Sequence, residues 1–287
     1  MTIERLSIEG KRDIFVSKKE YGTDRMTTGT VEATTKALRP IYFVSGLGAD
    51  ERIFQWLRYD GFRPVHIQWI SPNKGEPIED YAKRLTSQIE DNNPVVVGLS
   101  FGGMIAVEIA KHLDTEKVIL LSSIKQVSEV PFYFKIFRLF PLHRIVPFKS
   151  LLWAFYWLAY WLFAPEGSDQ KKLLKTVLIE TDPHFLKWAL HKVVVWQNKE
   201  IPETLVHVHG KRDRIFPWRF VNPDYSLENS GHLMVMNRAE AVSDLLEILI
   251  LQANEACETE VPESESEASV SLTSESLASE AGDAVAI

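Results

Sequence analysis

From Ile41 onward the chain alternates short apolar runs with stretches of helical periodicity, the pattern of strand-helix units around a parallel sheet. Ile41 to Ser45 is an apolar strand closed by Gly46-Leu47-Gly48. Asp50 then caps a helical turn that puts Ile53, Phe54 and Leu57 on one face. Val65, Ile67 and Trp69 alternate as a second strand, and Ile78, Tyr81, Ala82, Leu85 and Ile89 recur at helical spacing until Asn92-Asn93-Pro94. Pro94 to Leu99 is a strand that runs without a loop into Ser100-Phe101-Gly102-Gly103 and a helix reaching about Leu113. Strands follow at Lys117 to Ser122, Thr204 to His209 and Tyr225 to Leu227. A last helix has a core face of Val242, Leu245, Leu246 and Leu249, with Asn237 and Glu240 spaced as a capping box. This predicts an α/β fold with a doubly wound, mostly parallel sheet.

Two regions break the alternation. Residues 1–40 are polar and mixed, with short strands expected around Leu6 to Ile8 and Asp13 to Val16, as a lead-in hairpin or an extension outside the core. Residues 126–201 are aromatic and helical in pattern, which predicts a lid inserted after the sixth strand and splits the core into 41–125 and 202–252. Within the lid, Leu151 to Ala164 is fourteen residues without a charge. A membrane span needs about 18 such residues, so length favours a buried lid helix over a face lining an apolar pocket or touching lipid. Trp153, Trp157 and Trp161, spaced four apart, read first as packing and second as a substrate box.

Charge sharpens the domain picture. Of 39 acidic residues nine lie in 253–287, which holds no Lys or Arg, so residues 1–252 carry 32 basic against 30 acidic side chains. The net charge of -7 therefore belongs to a Ser/Glu-rich tail, which is expected to be disordered. A near-neutral body lacks the basic excess of a nucleic-acid binder. The single cysteine, Cys257, forms no intrachain disulfide, and the N-terminus has no apolar signal-type run, so a cytoplasmic protein is expected.

The chemistry centres on Gly98-Leu99-Ser100-Phe101-Gly102, a G-x-S-x-G pentapeptide in a strand-turn-helix setting. Small residues let the backbone turn sharply and hold Ser100 clear of the sheet edge. A serine hydroxyl needs a base, and the base an orienting acid. Asp213 lies just past the strand ending at His209, and His232 follows Ser230-Gly231 before the last helix. Ser100, Asp213 and His232 thus fall in the chain order of the elbow class, all at one sheet edge. The rival readings are that Asp213 pairs with Lys211, Arg212 or Arg214, leaving Asp224 as the acid, and that His232 is a satisfied loop histidine. His207 and His209 face the same way on one strand, but no nearby cysteine or clear third ligand completes a metal site. Neither a Walker loop nor a dinucleotide fingerprint is present, and no cofactor is expected.

These motifs resemble the α/β-hydrolase fold family over about Ile41 to Gln252. The resemblance implies Ser100 as nucleophile, His232 as general base and then acid, Asp213 as the group fixing the imidazole, and the backbone N–H groups of Leu47 and Phe101 as the oxyanion hole. It departs at Ser45, where many members carry His before the first glycine, which raises the question of how that loop is braced. The reading is a serine hydrolase acting on an ester or thioester of a small to medium apolar substrate. The alternatives are a carbon-carbon hydrolase or lyase on the same triad, and a non-catalytic binding protein.

Overall fold

The computed structural model describes residues 5–7, 14–15, 38–134 and 157–258. Six strands form a parallel sheet: β3 (Arg39–Val44), β4 (Phe62–Ile67), β5 (Val95–Leu99), β6 (Lys117–Leu121), β7 (Leu205–Gly210) and β8 (Tyr225–Leu227). Two short N-terminal strands, β1 (Arg5–Ser7) and β2 (Ile14–Phe15), continue it antiparallel at the β8 edge, giving the order β2-β1-β8-β7-β6-β5-β3-β4. The N-terminal strands are thus part of the main sheet.

Strand alternation builds two cores. Tyr42, Val44, Val96, Val118 and Leu120 face one side, where α1 (Ile78–Leu85), α2 (Phe101–Ile109) and α4 (Pro183–Val195) cover them. Ile41, Phe43, Val95, Val97, Ile119 and Leu121 face the other, under α5 (Met234–Asn237) and α6 (Ala239–Glu258). Burying each of the Val, Leu, Ile and Phe side chains stabilises the fold by about 1.5–3 kcal/mol. The central strand β5 is buried along its whole length, as a sheet covered on both faces requires.

The helix α3 (Gly167–Glu180) and α4 lie between β6 and β7, in the stretch read as a lid. Asp182 caps α4 by accepting from the N–H groups of His184 and Phe185.

Several local expectations change. After Asp50 the chain makes only a 3-10 turn, Glu51–Phe54, enough to bury Ile53 and Phe54. Asn237 is no N-cap: it ends α5, and its amide donates to the Ala164 carbonyl instead. Helix α6 runs on to Glu258, past the tail boundary set by composition. The described part of the uncharged run, helical at 157–163, is not buried throughout, since Trp157 is 76% and Trp161 50% exposed. Trp153 and the acidic segment after Glu258 lie outside the described residues.

Candidate active site

The sheet order puts β4 and β5 on opposite sides of β3. The chain leaves β3 toward one edge and returns to β5 on the other side, so the loops after β3 and β5 diverge and leave a crevice at their carboxyl ends. Ser100 follows β5 in this crevice, and Gly46-Leu47-Gly48 follows β3.

The turn at Ser100 is held from several directions. Its backbone sits at φ 54° and ψ -119°, a conformation that costs a non-glycine residue about 1–3 kcal/mol. Its N–H donates to the Leu121 carbonyl at 2.9 Å, while its carbonyl accepts from Gly103 N–H at 2.9 Å and from the Ser123 hydroxyl at 2.6 Å. Gly98 and Gly102 make the crossing of strand and helix close enough: a methyl on Gly98 would collide with the Gly102 carbonyl, and one on Gly102 with the carbonyls of Val44 and Ser45. The first turn of α2 therefore rests directly on the end of β3. This brings Gly46 to within 3.6 Å of the Ser100 Cβ, measured from where a β-carbon would stand.

Ser100, His232 and Asp213 form one hydrogen-bonded chain. Ser100 Oγ is 2.8 Å from His232 Nε2, and His232 Nδ1 is 2.8 Å from Asp213 Oδ2. The other carboxylate oxygen of Asp213 accepts from the N–H groups of Ile215 at 2.7 Å and Phe216 at 3.0 Å. Burial by itself would raise the Asp213 carboxyl. The charge and hydrogen bond of His232, the charge of His209 and the Phe216 N–H outweigh it and hold the carboxyl below its ordinary value. An ionised Asp213 requires the proton on His232 Nδ1, which leaves Nε2 free to accept from the Ser100 hydroxyl. Phe163 and Phe216 flank the imidazole, with ring centroids 5.5 and 5.9 Å away.

The acid and histidine loops are knitted by backbone bonds, with Lys211 N–H to the Leu227 carbonyl at 3.0 Å and Arg212 N–H to that of Ser230 at 2.9 Å. The neighbouring cations go elsewhere. Lys211 pairs with Glu228, and Arg214 donates to the Trp161 carbonyl. Asp224, the alternative acid, accepts from the His207 backbone N–H at 2.8 Å, so its carboxylate serves β7.

The loop after β3 is braced through its carbonyls. Ser45 Oγ donates to the Ala49 carbonyl at 2.7 Å, and the Trp69 indole N–H donates to the same oxygen at 2.8 Å. Thr181, from the turn between α3 and α4, donates to the Gly48 carbonyl at 2.6 Å. Gly48 has φ +72°, and Thr181 fills the space a side chain would need. Phe101, the first residue of α2, has a backbone N–H with no acceptor inside the helix. Removing one brace, Ser45→Ala, should lower kcat about fivefold with KM little changed, as expected for about 1 kcal/mol of lost positioning. Steady-state kinetics on a soluble ester reads this directly.

Comparison with known proteins gives the family and the fold. A model of the Alpha/beta hydrolase family matches residues 41–245. The chain belongs to the α/β-hydrolase family. A search of the curated proteins found no match. Among solved structures, a hydrolase from Oleispira antarctica is 14% identical with a TM-score of 0.60, over 75% of this chain and 92% of that one. An esterase from Thermogutta terrifontis is 16% identical with a TM-score of 0.54, over 75% and 90%. An esterase from Exiguobacterium antarcticum is 17% identical with a TM-score of 0.52, over 75% and 92%. At such identities the likeness is one of fold.

This α/β hydrolase also carries a cavity of about 210 Å³ between the β3 loop and the α3-α4 turn, with apolar walls from Ala49, Trp69, Ile70, Val177 and Phe185 and polar ones from Asp50, Ser71, Glu180, Thr181 and Asp182. Arg52 stands at it, ion-paired with Asp50 and Glu180. Among the described residues no group of three or more His, Cys, Asp or Glu side chains is arranged to hold a metal ion. His207 and His209 bond instead to each other, Nε2 to Nδ1 at 3.2 Å. His209 Nε2 lies 2.8 Å from the Phe216 carbonyl, which only accepts, so that nitrogen carries the proton and His207 donates to His209 Nδ1. The sequence pattern showed the pair but not its task. His209 tethers the Phe216 carbonyl while Phe216 N–H holds Asp213, and its Nε2 is 3.5 Å from the Asp213 carboxylate.

Burial lowers the titration of both imidazoles, His207 well below its ordinary value. In the unfolded chain they take up protons near about pH 6.5, whereas the folded protein keeps them neutral to lower pH. The unfolded state then binds more protons, so stability should fall as pH drops through about 6.5, by up to about 1.4 kcal/mol per pH unit for each imidazole. Urea unfolding between about pH 7.5 and 5.5 measures the slope. His209→Gln should make it shallower by one group's share.

Proposed function

We propose that this protein is a serine hydrolase that cleaves an ester or thioester of a small to medium apolar substrate through an acyl-enzyme. The observation that carries the reading is the unbroken chain from Ser100 Oγ through His232 to Asp213, with both links at 2.8 Å. Ser100 attacks the carbonyl carbon as His232 Nε2 takes its proton, and the imidazolium is stabilised by ionised Asp213. The N–H groups of Leu47 and Phe101 receive the developing oxyanion, and removing one such donor costs about 2.7–4 kcal/mol of transition-state stabilisation. His232 then returns the proton to the leaving alcohol or thiol. Water, deprotonated by the same imidazole, releases the acid.

The apolar preference is supported by the surroundings of the base, with Phe163 and Phe216 beside His232. Rapid mixing with a p-nitrophenyl ester series tests the reading. A burst of nitrophenol equal to the enzyme concentration, followed by slower turnover, is the expected signature of the acyl-enzyme. Turnover of a diketone in place of every ester tried would instead assign the same triad to carbon-carbon cleavage.

A further inference from the structure

We propose that Phe163 selects the leaving group, setting a preference for esters of a linear apolar alcohol, and that Arg214 and Asn237 position it for that task. The assignment rests on the serine-hydrolase reading and names which half of the substrate this side chain meets. When the tetrahedral intermediate collapses, the carbon-oxygen bond breaks, its electron pair stays on the alcohol oxygen, and that oxygen takes the proton from His232 Nε2. The leaving oxygen must therefore stand against the imidazole, and the carbon chain it carries against whatever packs there. Two phenyl rings flank that imidazole. Phe216, 5.9 Å away between centroids, is 2% exposed and belongs to the core on the α1-α2-α4 side. Phe163, 5.5 Å away and set at 66° to the imidazole, is only half-buried. Of the two, Phe163 is the one a substrate can touch. An alkyl chain loses water favourably against such a ring, whereas a hydroxylated or charged one would give up its hydration without a polar partner from either phenylalanine.

The end of the helical segment 157–163 is fastened by the same two stretches of chain that carry the acid and the base. Arg214, next to Asp213, donates to the Trp161 carbonyl at 2.5 Å and lays its guanidinium 5.0 Å from the centre of that indole. A cation suits this place, because the last carbonyls of a helix have no partner within it and form the negative end of its dipole. Asn237, five residues after His232, donates to the Ala164 carbonyl at 3.2 Å. Ala164 closes the helix at φ 44°, its N–H donating to the Tyr160 carbonyl at 2.9 Å, in a conformation that glycine adopts freely and alanine does not. The bond from Asn237 holds that turn. Phe163 lies between the two anchored carbonyls, and with Leu173 it rests against the core on the α5-α6 side. Its ring is thereby kept in register with the imidazole from three directions, while packing alone would have buried it as it buries Phe216.

The test is a pair of substrate series on the full-length protein: butyrate esters of methanol, butanol and hexanol, and methyl esters of acetic, butyric and hexanoic acid. In wild type kcat/KM should rise along the alcohol series. Phe163→Ala should lower the hexyl-to-methyl ratio roughly tenfold, and Phe163→Leu, which keeps apolar bulk and guards against a folding defect, should fall between. The acyl series should keep its wild-type shape in both variants. Arg214→Ala should lower the same ratio about threefold through lost positioning, and Arg214→Lys, which retains a donor and a charge, should restore it. A wild-type alcohol series without a rise, an unchanged ratio in both Phe163 variants, or a change in the acyl series instead would overturn the assignment and leave the serine-hydrolase reading standing. An Arg214→Ala ratio equal to that of wild type would overturn its positioning role. Absence of turnover of every ester by wild type would overturn both the reading and the assignment.

Discussion

Ser100→Ala should reduce kcat on a p-nitrophenyl ester by on the order of a million-fold, the loss typical when a triad nucleophile is removed. The variant should fold as wild type does. Every bond that holds the elbow is made by the Ser100 backbone, to Leu121, Gly103 and Ser123, and alanine keeps all three. The strain at φ 54° is also unchanged, because alanine retains the β-carbon. What disappears is the hydroxyl 2.8 Å from His232 Nε2. Ser100→Gly should lose activity equally yet melt higher, since glycine tolerates that backbone conformation without strain. Kinetics and thermal unfolding of the pair separate the chemical role of Ser100 from its structural cost.

Asp213→Asn should lower kcat by on the order of ten-thousand-fold with the fold intact. The amide oxygen can keep the Ile215 and Phe216 N–H donors that bind Oδ1. The amide nitrogen then faces His232 Nδ1, 2.8 Å away in the native protein, and donates to it. The imidazole proton moves to Nε2 and points at Ser100, so the base can no longer accept. Nitrogen NMR of His232 should show the exchanged tautomer. Asp224→Asn, by contrast, should leave kcat nearly unchanged, because that carboxylate is engaged with the His207 backbone.

Much of this was legible from residue order alone. β5 and α2 are adjacent in sequence, so the pentapeptide sees its own context, and burial on both faces writes β5 as an unbroken apolar run. Asp213 and His232 were legible because each directly follows a strand whose end defines a common edge. What was hidden depends on contacts between distant segments. β1 pairs with β8, more than two hundred residues away, and nothing local in Arg5–Ser7 encodes that partner. The bracing role of Ser45 needs the Ala49 carbonyl turned toward it, and that of Thr181 needs the α3-α4 turn laid over Gly48. Spacing put His207 and His209 on a shared face without a metal site but did not name the neighbour they meet there. Asn237 matched a capping box by spacing, but the competing acceptor at Ala164 took its side chain. The exposed tryptophans escaped a length argument because hydrophobicity counted over a run does not say which face a helix turns to solvent.

The central claim is that Ser100 is a nucleophile activated by His232 and Asp213. Labelling with a fluorophosphonate probe, followed by mass mapping of the modified peptide, tests it most directly. One adduct per chain on the peptide holding Ser100 is the predicted result, abolished in Ser100→Ala and strongly slowed in Asp213→Asn. Ester turnover by the wild type with no adduct at Ser100, or with the adduct on another residue, would contradict the account.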